Sequence, residues 1–393
     1  MTWRVFVEAG AAGYGIFSVF WSALFLVVGV LFGVQQEATR AVAQTDAESV
    51  RAVVDGRRRG TSLIVFSLVL AVVVVVVVIA TSPLWAPASL GADDAGLAWF
   101  VAIGAGFNCL VAAASGVMAG AGLWRQLAAI VALDGVLRVV LVLAVLASGG
   151  SIVALAIAVI LPFPLALAAV LASAPRAILS RARVADGMGA LAANTGRTML
   201  AASATAVLIN GFPLVLSFFT TSAAHAGLGS LVLAVTLTRA PILVPLTALS
   251  SFLVNRFSHH PERVGRTLVL IIGGLAAFAA VLCLCALLFG VPVMRFVFGA
   301  EFDLDAGSLS ALVGSAALIG ALSVTGSAVL ARGRHGWYAA GWVTASLITL
   351  ALLFVPLPLA PRAALALAAG PAIGLIVHLA ALRRRPVALE GNP

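Results

Sequence analysis

The sequence contains no lysine, and only 9% of its 393 residues are charged. Soluble domains carry about 25% charged residues, so this chain cannot cover a surface that faces water. The missing lysine also excludes a Walker A phosphate loop and a Schiff-base lysine. Cys109, Cys283 and Cys285 all lie inside apolar runs. That placement excludes a disulfide framework, and no CxxC metal-binding spacing occurs.

Motifs of enzymes are also missing. The sequence has no GxSxG, no HExxH and no glycine-rich phosphate loop, so we expect no catalytic residue, no metal and no cofactor. All 23 basic residues are arginines, which face 14 acids and leave a net charge of +9. These arginines lie between long apolar runs, a distribution typical of cytoplasmic loops. The sequence therefore predicts neither an enzyme nor a protein that binds nucleic acid.

Apolar residues dominate what is present: 63% of the chain is Ala, Val, Ile, Leu, Met, Phe, Trp, Tyr or Cys. A helix that crosses a bilayer needs about 20 predominantly apolar residues. Continuous runs of this length exclude an outer-membrane barrel, which needs short alternating segments. The pattern predicts an all-α integral membrane protein with about eleven transmembrane helices, at 14–34, 62–83, 96–121, 127–147, 151–172, 199–220, 227–252, 268–290, 306–331, 335–357 and 362–382.

The loops between these runs alternate in charge. Eighteen of the 23 arginines fall in one set of loops, which includes Arg57–Arg59, Arg176–Arg183 and Arg383–Arg385. The opposite set holds only three arginines, along with acids such as Asp93 and Asp94. Positive loops stay in the cytoplasm, so we expect a multi-pass protein of the cytoplasmic membrane with a cytoplasmic C-terminus.

The central basic loop divides the chain into two halves. We expect an N-terminal lobe at 1–172, a basic cytoplasmic linker at 173–198, a C-terminal six-helix lobe at 199–385 and a cytoplasmic tail at 386–393. The segments around Gly13–Gly15 and Gly227–Gly229 each begin a predicted helix. Both helices end in a polar stretch that contains arginine, which suggests two pseudo-symmetric bundles. Residues 1–12 are too short to span. The expected architecture is thus 6+6 helices without a complete first helix.

Charged residues at membrane depth cost about 2.5–3.5 kcal/mol on insertion scales, and they usually face the bundle interior or a wet cavity. Asp134 and Arg138 are spaced i,i+4 on one helix, so their side chains lie on one face. They are either a mutually neutralising pair or a functional site. In the functional interpretation, Asp134 responds to a proton or cation and Arg138 faces an anion. Arg239 has no acid within one helical turn, which favours a carbonyl, a water or an anionic ligand as its partner.

Proline interrupts several of the predicted helices. Pro213 follows Asn210 in the helix 199–220, and Pro241 follows Arg239 in the helix 227–252. These positions are either simple kinks or hinges for alternating access, with Asn210 lining a cavity. Gly116 and Gly120 form a GxxxG motif, for which we expect close packing inside the bundle.

The order and spacing of several segments resemble the polysaccharide flippase branch of the multidrug/oligosaccharidyl-lipid/polysaccharide exporter superfamily. The resemblance covers nearly the whole chain. The chain departs from the family pattern because it lacks a complete first helix. The segments are Gly13–Gly15, Gln35–Arg40, Leu237–Pro241, Val297–Phe302 and Leu330–Arg334.

The resemblance implies two lobes around a central cavity that opens alternately to each face, and a glycan on a polyprenyl diphosphate as substrate. Guanidinium groups pair with phosphate oxygens in a bidentate manner, so Arg239, Arg138 and Arg40 are the expected diphosphate contacts. Asp134 would tune Arg138 or carry a coupling ion. Membrane lipids and glycan-assembly enzymes are the other expected partners.

Three further hypotheses stay open at this point. A drug or cation exporter of the same superfamily would use Asp134 as its buried carboxylate. A polyprenol-dependent glycosyltransferase would use loop acids such as Asp93 and Asp303. A degenerate relative would assist glycan assembly without transport.

Overall fold

The computed structural model describes residues 2–52, 61–220, 225–259, 263–299, 302 and 304–383. Arg57–Arg59 and the predicted tail 386–393 lie outside these residues. The elements in chain order are α1 (Thr2–Ala52), β1 (Thr61–Ser62), α2 (Leu63–Leu90), α3 (Leu97–Gly120), α4 (Trp124–Ala147), α5 (Ile152–Ile160), α6 (Pro162–Ser173), α7 (Pro175–Leu179), β2 (Arg183–Val184), α8 (Met188–Ala206), a π-helix (Val207–Gly211), α9 (Phe212–Ser217), α10 (His225–His259), α11 (Val264–Cys285), a second π-helix (Ala286–Gly290), α12 (Val291–Phe298), α13 (Ala306–Ala331), α14 (His335–Leu352) and α15 (Leu359–Arg383).

The predicted all-α membrane architecture is confirmed. Among the described residues, nine helical segments are long and apolar enough to cross a membrane, and all of them coincide with predicted spans. The other two predicted spans also fall on helices. Within α10 the long apolar stretch is limited to Gly227–Leu243, and α14 has 18 residues, slightly below the usual length of a span.

Helix α1 contains a break near its start. Gly10 has φ 71°, a left-handed conformation that glycine adopts without the steric cost of a Cβ atom. The continuous apolar span therefore runs from Gly10 to Thr45. It begins four residues before the predicted span 14–34, at the break. It ends later than predicted because the polar residues Gln35–Arg40 continue the same helix.

The chain divides into two compact units, residues 1–226 and 227–393. We call them unit 1 and unit 2. Helix α8 begins at Met188, eleven residues before the predicted start at 199, because Met188 and the run Ala190–Ala193 are good helix formers despite their position in a basic loop. The sequence placed this helix in the second lobe. In the structure it packs along α1, so it groups with unit 1.

Glycines on α1 and α3 allow three helices of unit 1 to approach closely. A Cβ atom on Gly33 would lie 2.6 Å from the Cα of Met199 in α8. A Cβ atom on Gly116 would lie 2.6 Å from the carbonyl oxygen of Gln35 in α1, and one on Gly120 would lie 2.6 Å from that of Thr39. The prediction of close internal packing for Gly116 and Gly120 is therefore confirmed.

The end of unit 1 where α1 finishes and α2 begins is closed by the segment after α6. Strands β1 and β2 form a two-stranded antiparallel pair that joins residues 61–62 to residues 183–184. Beneath this pair lies a buried apolar cluster, which we call the basal cluster. Its larger members are Val42, Leu63, Phe66, Val117, Met118, Ile130, Val170, Ile178, Val184 and Leu191.

In unit 2, His378 joins three helices. Its Nδ1 lies 3.2 Å from the hydroxyl of Thr325 in α13, and its Nε2 lies 3.2 Å from the carbonyl oxygen of Tyr338 in α14. Gly341 provides the space, because a Cβ atom there would overlap the imidazole ring. A buried histidine with both ring nitrogens in contact is thus a packing element of α13, α14 and α15.

Candidate functional site

Asp134 and Arg138 form an ion pair on α4. The Nη2 of Arg138 lies 2.5 Å from the Oδ1 of Asp134, at the i,i+4 spacing that brings two side chains onto one helix face. Arg138 is 8% exposed, whereas about a quarter of the Asp134 side chain is accessible. The structure therefore brings together two residues that the sequence selected for a membrane site.

Three aromatic rings surround the guanidinium of Arg138. Its Cζ lies 4.7 Å from the ring centroid of Phe163 in α6, 5.0 Å from that of Phe25 and 6.0 Å from that of Trp21 in α1. Trp21 and Phe25 stack at 4.4 Å because they are one helical turn apart. Such cation–π contacts contribute about 2 kcal/mol when they are desolvated. Sequence reasoning missed these rings, although the i,i+4 spacing of Trp21 and Phe25 was visible.

The arrangement leaves hydrogen-bonding capacity at Arg138. Guanidinium has five N–H donors, and aromatic faces use none of them as ordinary hydrogen bonds. The Nε of Arg138 is buried and has no hydrogen-bond partner among the described residues. A buried donor without a partner costs about 1–3 kcal/mol. An oxyanion that accepted from this donor would remove that cost, so the site is suited to an anionic oxygen.

Arg40 has a different environment near the end of α1. Its Nε and Nη2 donate to the buried carboxylate of Glu37 at 2.9 and 2.5 Å, and Nη2 also lies 2.8 Å from Asp186. Its Nη1 donates to Gln44. The hydroxyl of Thr45 accepts from the backbone N–H of Ala185 at 3.0 Å. Together these contacts fasten the segment after β2 to α1.

The structure does not bring Arg40 and Arg138 together. Fifteen residues separate Arg40 from Phe25, which is about 22 Å along a helix, and Phe25 lies against Arg138. One diphosphate group is much shorter than that distance. Diphosphate contact by Arg40 stays a prediction, and the contacts of its guanidinium with Glu37 and Asp186 indicate a structural role.

Arg239 lies on α10 in unit 2 and is 7% exposed. Burial disfavours a charged side chain, so this position is costly in the membrane. Two residues further on, Pro241 provides no N–H for the carbonyl group of Leu237, and Pro245 repeats this interruption one turn later. Both prolines are exposed. The helix nevertheless runs from His225 to His259 as one element, so a hinge at Pro241 stays a prediction.

The predicted interruption at Asn210 and Pro213 coincides with a π-helix, Val207–Gly211, followed by α9. Ser22 of α1 bridges the break. Its hydroxyl donates to the carbonyl oxygen of Asn210 at 2.5 Å and accepts from the N–H of Leu214 at 3.1 Å. In an uninterrupted helix these two backbone groups would bond to each other. A side chain of α1 therefore satisfies the backbone groups at the interruption, and no sequence pattern identified Ser22.

Replacement of Ser22 by alanine is expected to destabilise unit 1 by about 1–3 kcal/mol, because a buried donor and a buried acceptor lose their partner. Ser18→Ala is the matched control: the Ser18 hydroxyl donates only to Gly15 of the same helix. Thermal unfolding of both variants in detergent checks the difference. Equal losses in the two variants would contradict the bridging role of Ser22.

A glycosyltransferase would need the loop acids. Those that the structure describes cap a helix or lie exposed in a turn. Asp305 caps α13, since its carboxylate accepts from the N–H of Ser308 at 2.8 Å. These hydrogen bonds with Ser308 lower the pKa of Asp305. Asp93 lies exposed in the turn between α2 and α3. Asp303 lies outside the described residues.

Solved structures with the same fold are transporters. An inward-facing multidrug resistance MATE family transporter of the MOP superfamily superposes with a TM-score of 0.71 at 16% identity, over 97% of this chain and 92% of that one. The lipid II flippase MurJ in an inward closed conformation gives 0.63 at 13% identity, over 98% and 88%. The chain therefore has the fold of MOP-superfamily transporters.

Two sequence relatives come from Mycobacterium tuberculosis (strain H37Rv). The uncharacterized protein Rv3630 is 34% identical over 377 residues, and the uncharacterized protein Rv1510 is 32% identical over 386 residues. Each match covers 95% of this chain and 85% of the relative. The chain belongs to the family of these two mycobacterial proteins. No protein-family model matches the sequence.

Proposed function

We propose that the protein is a flippase that moves a polyprenyl-diphosphate-linked glycan across the cytoplasmic membrane by alternating access, for the synthesis of cell-surface polysaccharide. The observation that carries the proposal is the buried guanidinium of Arg138 with its unused Nε donor. A diphosphate is a strong anionic acceptor for such a donor. The fold supports the proposal, since a lipid II flippase is among the proteins that share it.

The residues of the proposed site have separate roles. Arg138 contacts a diphosphate oxygen, while Trp21 and Phe25 hold the guanidinium in place. Asp134 balances the charge of Arg138 when the substrate is absent and carries a coupling ion when it is present. Arg239 provides a second buried cation in unit 2. Asn210, Pro213 and Pro241 mark the interruptions at which helices bend during transport. In this proposal the arginine-rich loops and the C-terminus are cytoplasmic, next to glycan-assembly enzymes.

A drug or cation exporter of the same superfamily is the second candidate. The observation that favours it is the partly exposed carboxylate of Asp134, which is the kind of group that attracts an organic cation. Its partner Arg138 lies against the stacked rings of Trp21 and Phe25, whose faces also attract cations. Two of the structures with this fold are multidrug resistance transporters. The two candidates differ in which charge of the pair contacts the substrate: Arg138 in the flippase and Asp134 in the exporter.

The test uses a strain depleted of the protein and complemented with variants. Mass spectrometry of lipid extracts measures polyprenyl-diphosphate glycans, and protease-treated vesicles report the membrane face on which they accumulate. We expect depletion to trap completed glycan lipid on the cytoplasmic face. Wild type restores export, and Arg138→Gln reduces it about 10- to 100-fold, since a charge-assisted hydrogen bond contributes about 1.5–3 kcal/mol.

Arg266→Gln is the matched control, because Arg266 is an exposed arginine of α11. Its loss should leave export unchanged. Incomplete glycan after depletion would indicate a glycosyltransferase. An unchanged glycan pool with increased sensitivity to cationic drugs, reproduced by Asp134→Asn, would reject the flippase and support the exporter.

A further inference from the structure

One surface of unit 1, away from the site around Arg138, combines exposed arginines with exposed apolar side chains. It lies over the basal cluster and consists of Trp124, Arg125, Arg176, Leu179, Arg181 and Arg183, which we call the basal surface. All four arginines are exposed. Trp124 is 66% exposed and Leu179 is 47% exposed. Two large apolar side chains therefore share this surface with four cations.

The segment that carries this surface is held in a fixed position. Ile178 and Val184 point into the basal cluster, and β2 pairs with β1. Arg181 donates from Nη1 to the carbonyl oxygen of Ala121 at 2.8 Å, which ties the segment to the turn before α4. Trp124 and Arg125 begin α4 directly after this turn. The contacts therefore gather residues from two distant parts of the sequence on one end of unit 1.

The charge of the basal surface is not compensated within its own segment. Asp186 is the sole acid between residues 173 and 198 in the sequence, and its carboxylate is engaged by Arg40. The surface lies at the ends of membrane-spanning helices, since α3 ends at Gly120 and α4 begins at Trp124. Tryptophan and arginine are the residues that favour the headgroup layer of a bilayer, where an apolar ring and a cation are both accommodated.

We propose that the basal surface binds the headgroups of anionic phospholipids in the adjoining leaflet. Trp124 and Leu179 enter the boundary between headgroups and acyl chains, and Arg125, Arg176 and Arg183 contact the lipid phosphates. Arg181 contributes charge while it also holds the turn at Ala121. Each arginine near an anionic membrane surface increases binding about fivefold. The preference for anionic lipid is independent of which substrate the protein transports.

Lipid-specific fluorescence quenching tests the proposal on the full-length protein in vesicles. Brominated lipid quenches tryptophan at contact, and the difference between wild type and Trp124→Phe isolates the signal of Trp124. The vesicles contain phosphatidylcholine and phosphatidylglycerol, with either lipid brominated in turn. We expect phosphatidylglycerol to be favoured at Trp124. In the Arg125→Gln/Arg176→Gln/Arg183→Gln variant the preference for phosphatidylglycerol over phosphatidylcholine should fall by up to about a hundredfold. The two brominated lipids should then quench Trp124 almost equally.

Two variants serve as controls, and added salt provides a further test. The Arg125→Lys/Arg176→Lys/Arg183→Lys variant keeps the charge and should retain most of the preference, which separates lipid binding from a folding defect. Arg266→Gln, which removes an exposed arginine of unit 2, should change nothing. Added salt should weaken the preference, because exposed charges are screened. Equal quenching of wild-type Trp124 by both brominated lipids, or a preference that survives in the glutamine variant, would overturn the proposal.

Discussion

Asp134→Asn is expected to destabilise the protein by about 3 kcal/mol, although the substitution removes only one charge. The guanidinium of Arg138 would remain buried among Trp21, Phe25 and Phe163 without its counter-charge. Breaking a buried ion pair costs about 3–5 kcal/mol. The lower end applies here, because a quarter of the Asp134 side chain is exposed. The free energy of unfolding in detergent micelles measures the effect.

The double variant Asp134→Asn/Arg138→Gln completes a thermodynamic cycle. Removing both charges leaves neutral side chains that can bond to each other, so most of the lost stability should return. The same variant separates folding from transport. If Arg138 contacts the diphosphate, the double variant is folded but exports glycan lipid no better than Arg138→Gln does. Costs that simply add in the double variant would show that the two side chains do not stabilise unit 1 as a pair.

Gly33→Ala is the second substitution with a large expected effect. The added Cβ would overlap the backbone nitrogen of Met199 and lie 2.6 Å from its Cα, so a whole helix must move. Overpacking of this kind costs about 1–3 kcal/mol, and the upper end is expected because backbone atoms are involved. The shift would also disturb the 2.8 Å hydrogen bond from the Thr198 hydroxyl to the carbonyl oxygen of Gly33.

Gly273→Ala is the matched control for this substitution. Gly273 is exposed on α11, and no atom lies within 4 Å of a Cβ atom built there. Alanine at that position should stabilise the helix by about 0.5–1 kcal/mol, since glycine is the poorer helix former. Thermal unfolding of both variants gives the comparison. A Gly33→Ala protein as stable as wild type would mean that α1 and α8 do not pack closely at this position.

Much of the architecture could be predicted because it depends on the solvent of the chain. The low charge and the long apolar runs require lipid-embedded helices, and every predicted span falls on a helix. Helix ends were less accurate where polar residues continue a helix, as at Gln35–Arg40 and at Met188. Hydropathy measures the cost of transfer into lipid, whereas a helix continues as long as its backbone bonds are satisfied.

Part of the candidate site could also be predicted. Asp134 and Arg138 were found because a charge at membrane depth is costly and an i,i+4 partner is local in sequence. Phe163 and Ser22 could not be found in this way. Their roles depend on which helices are neighbours, and an aromatic or hydroxyl side chain in a membrane helix has no distinctive cost by itself.

The sequence by itself determined that the chain is a helical membrane protein and that Asp134, Arg138 and Arg239 are its costly intramembrane charges, because composition and local spacing decide transfer energies. Only the tertiary structure decided the contacts of those charges. It placed three aromatic rings around Arg138, gave Arg40 two carboxylates, and joined α8 to unit 1 through glycine contacts. These contacts link residues far apart in sequence, so they depend on packing that no local pattern encodes.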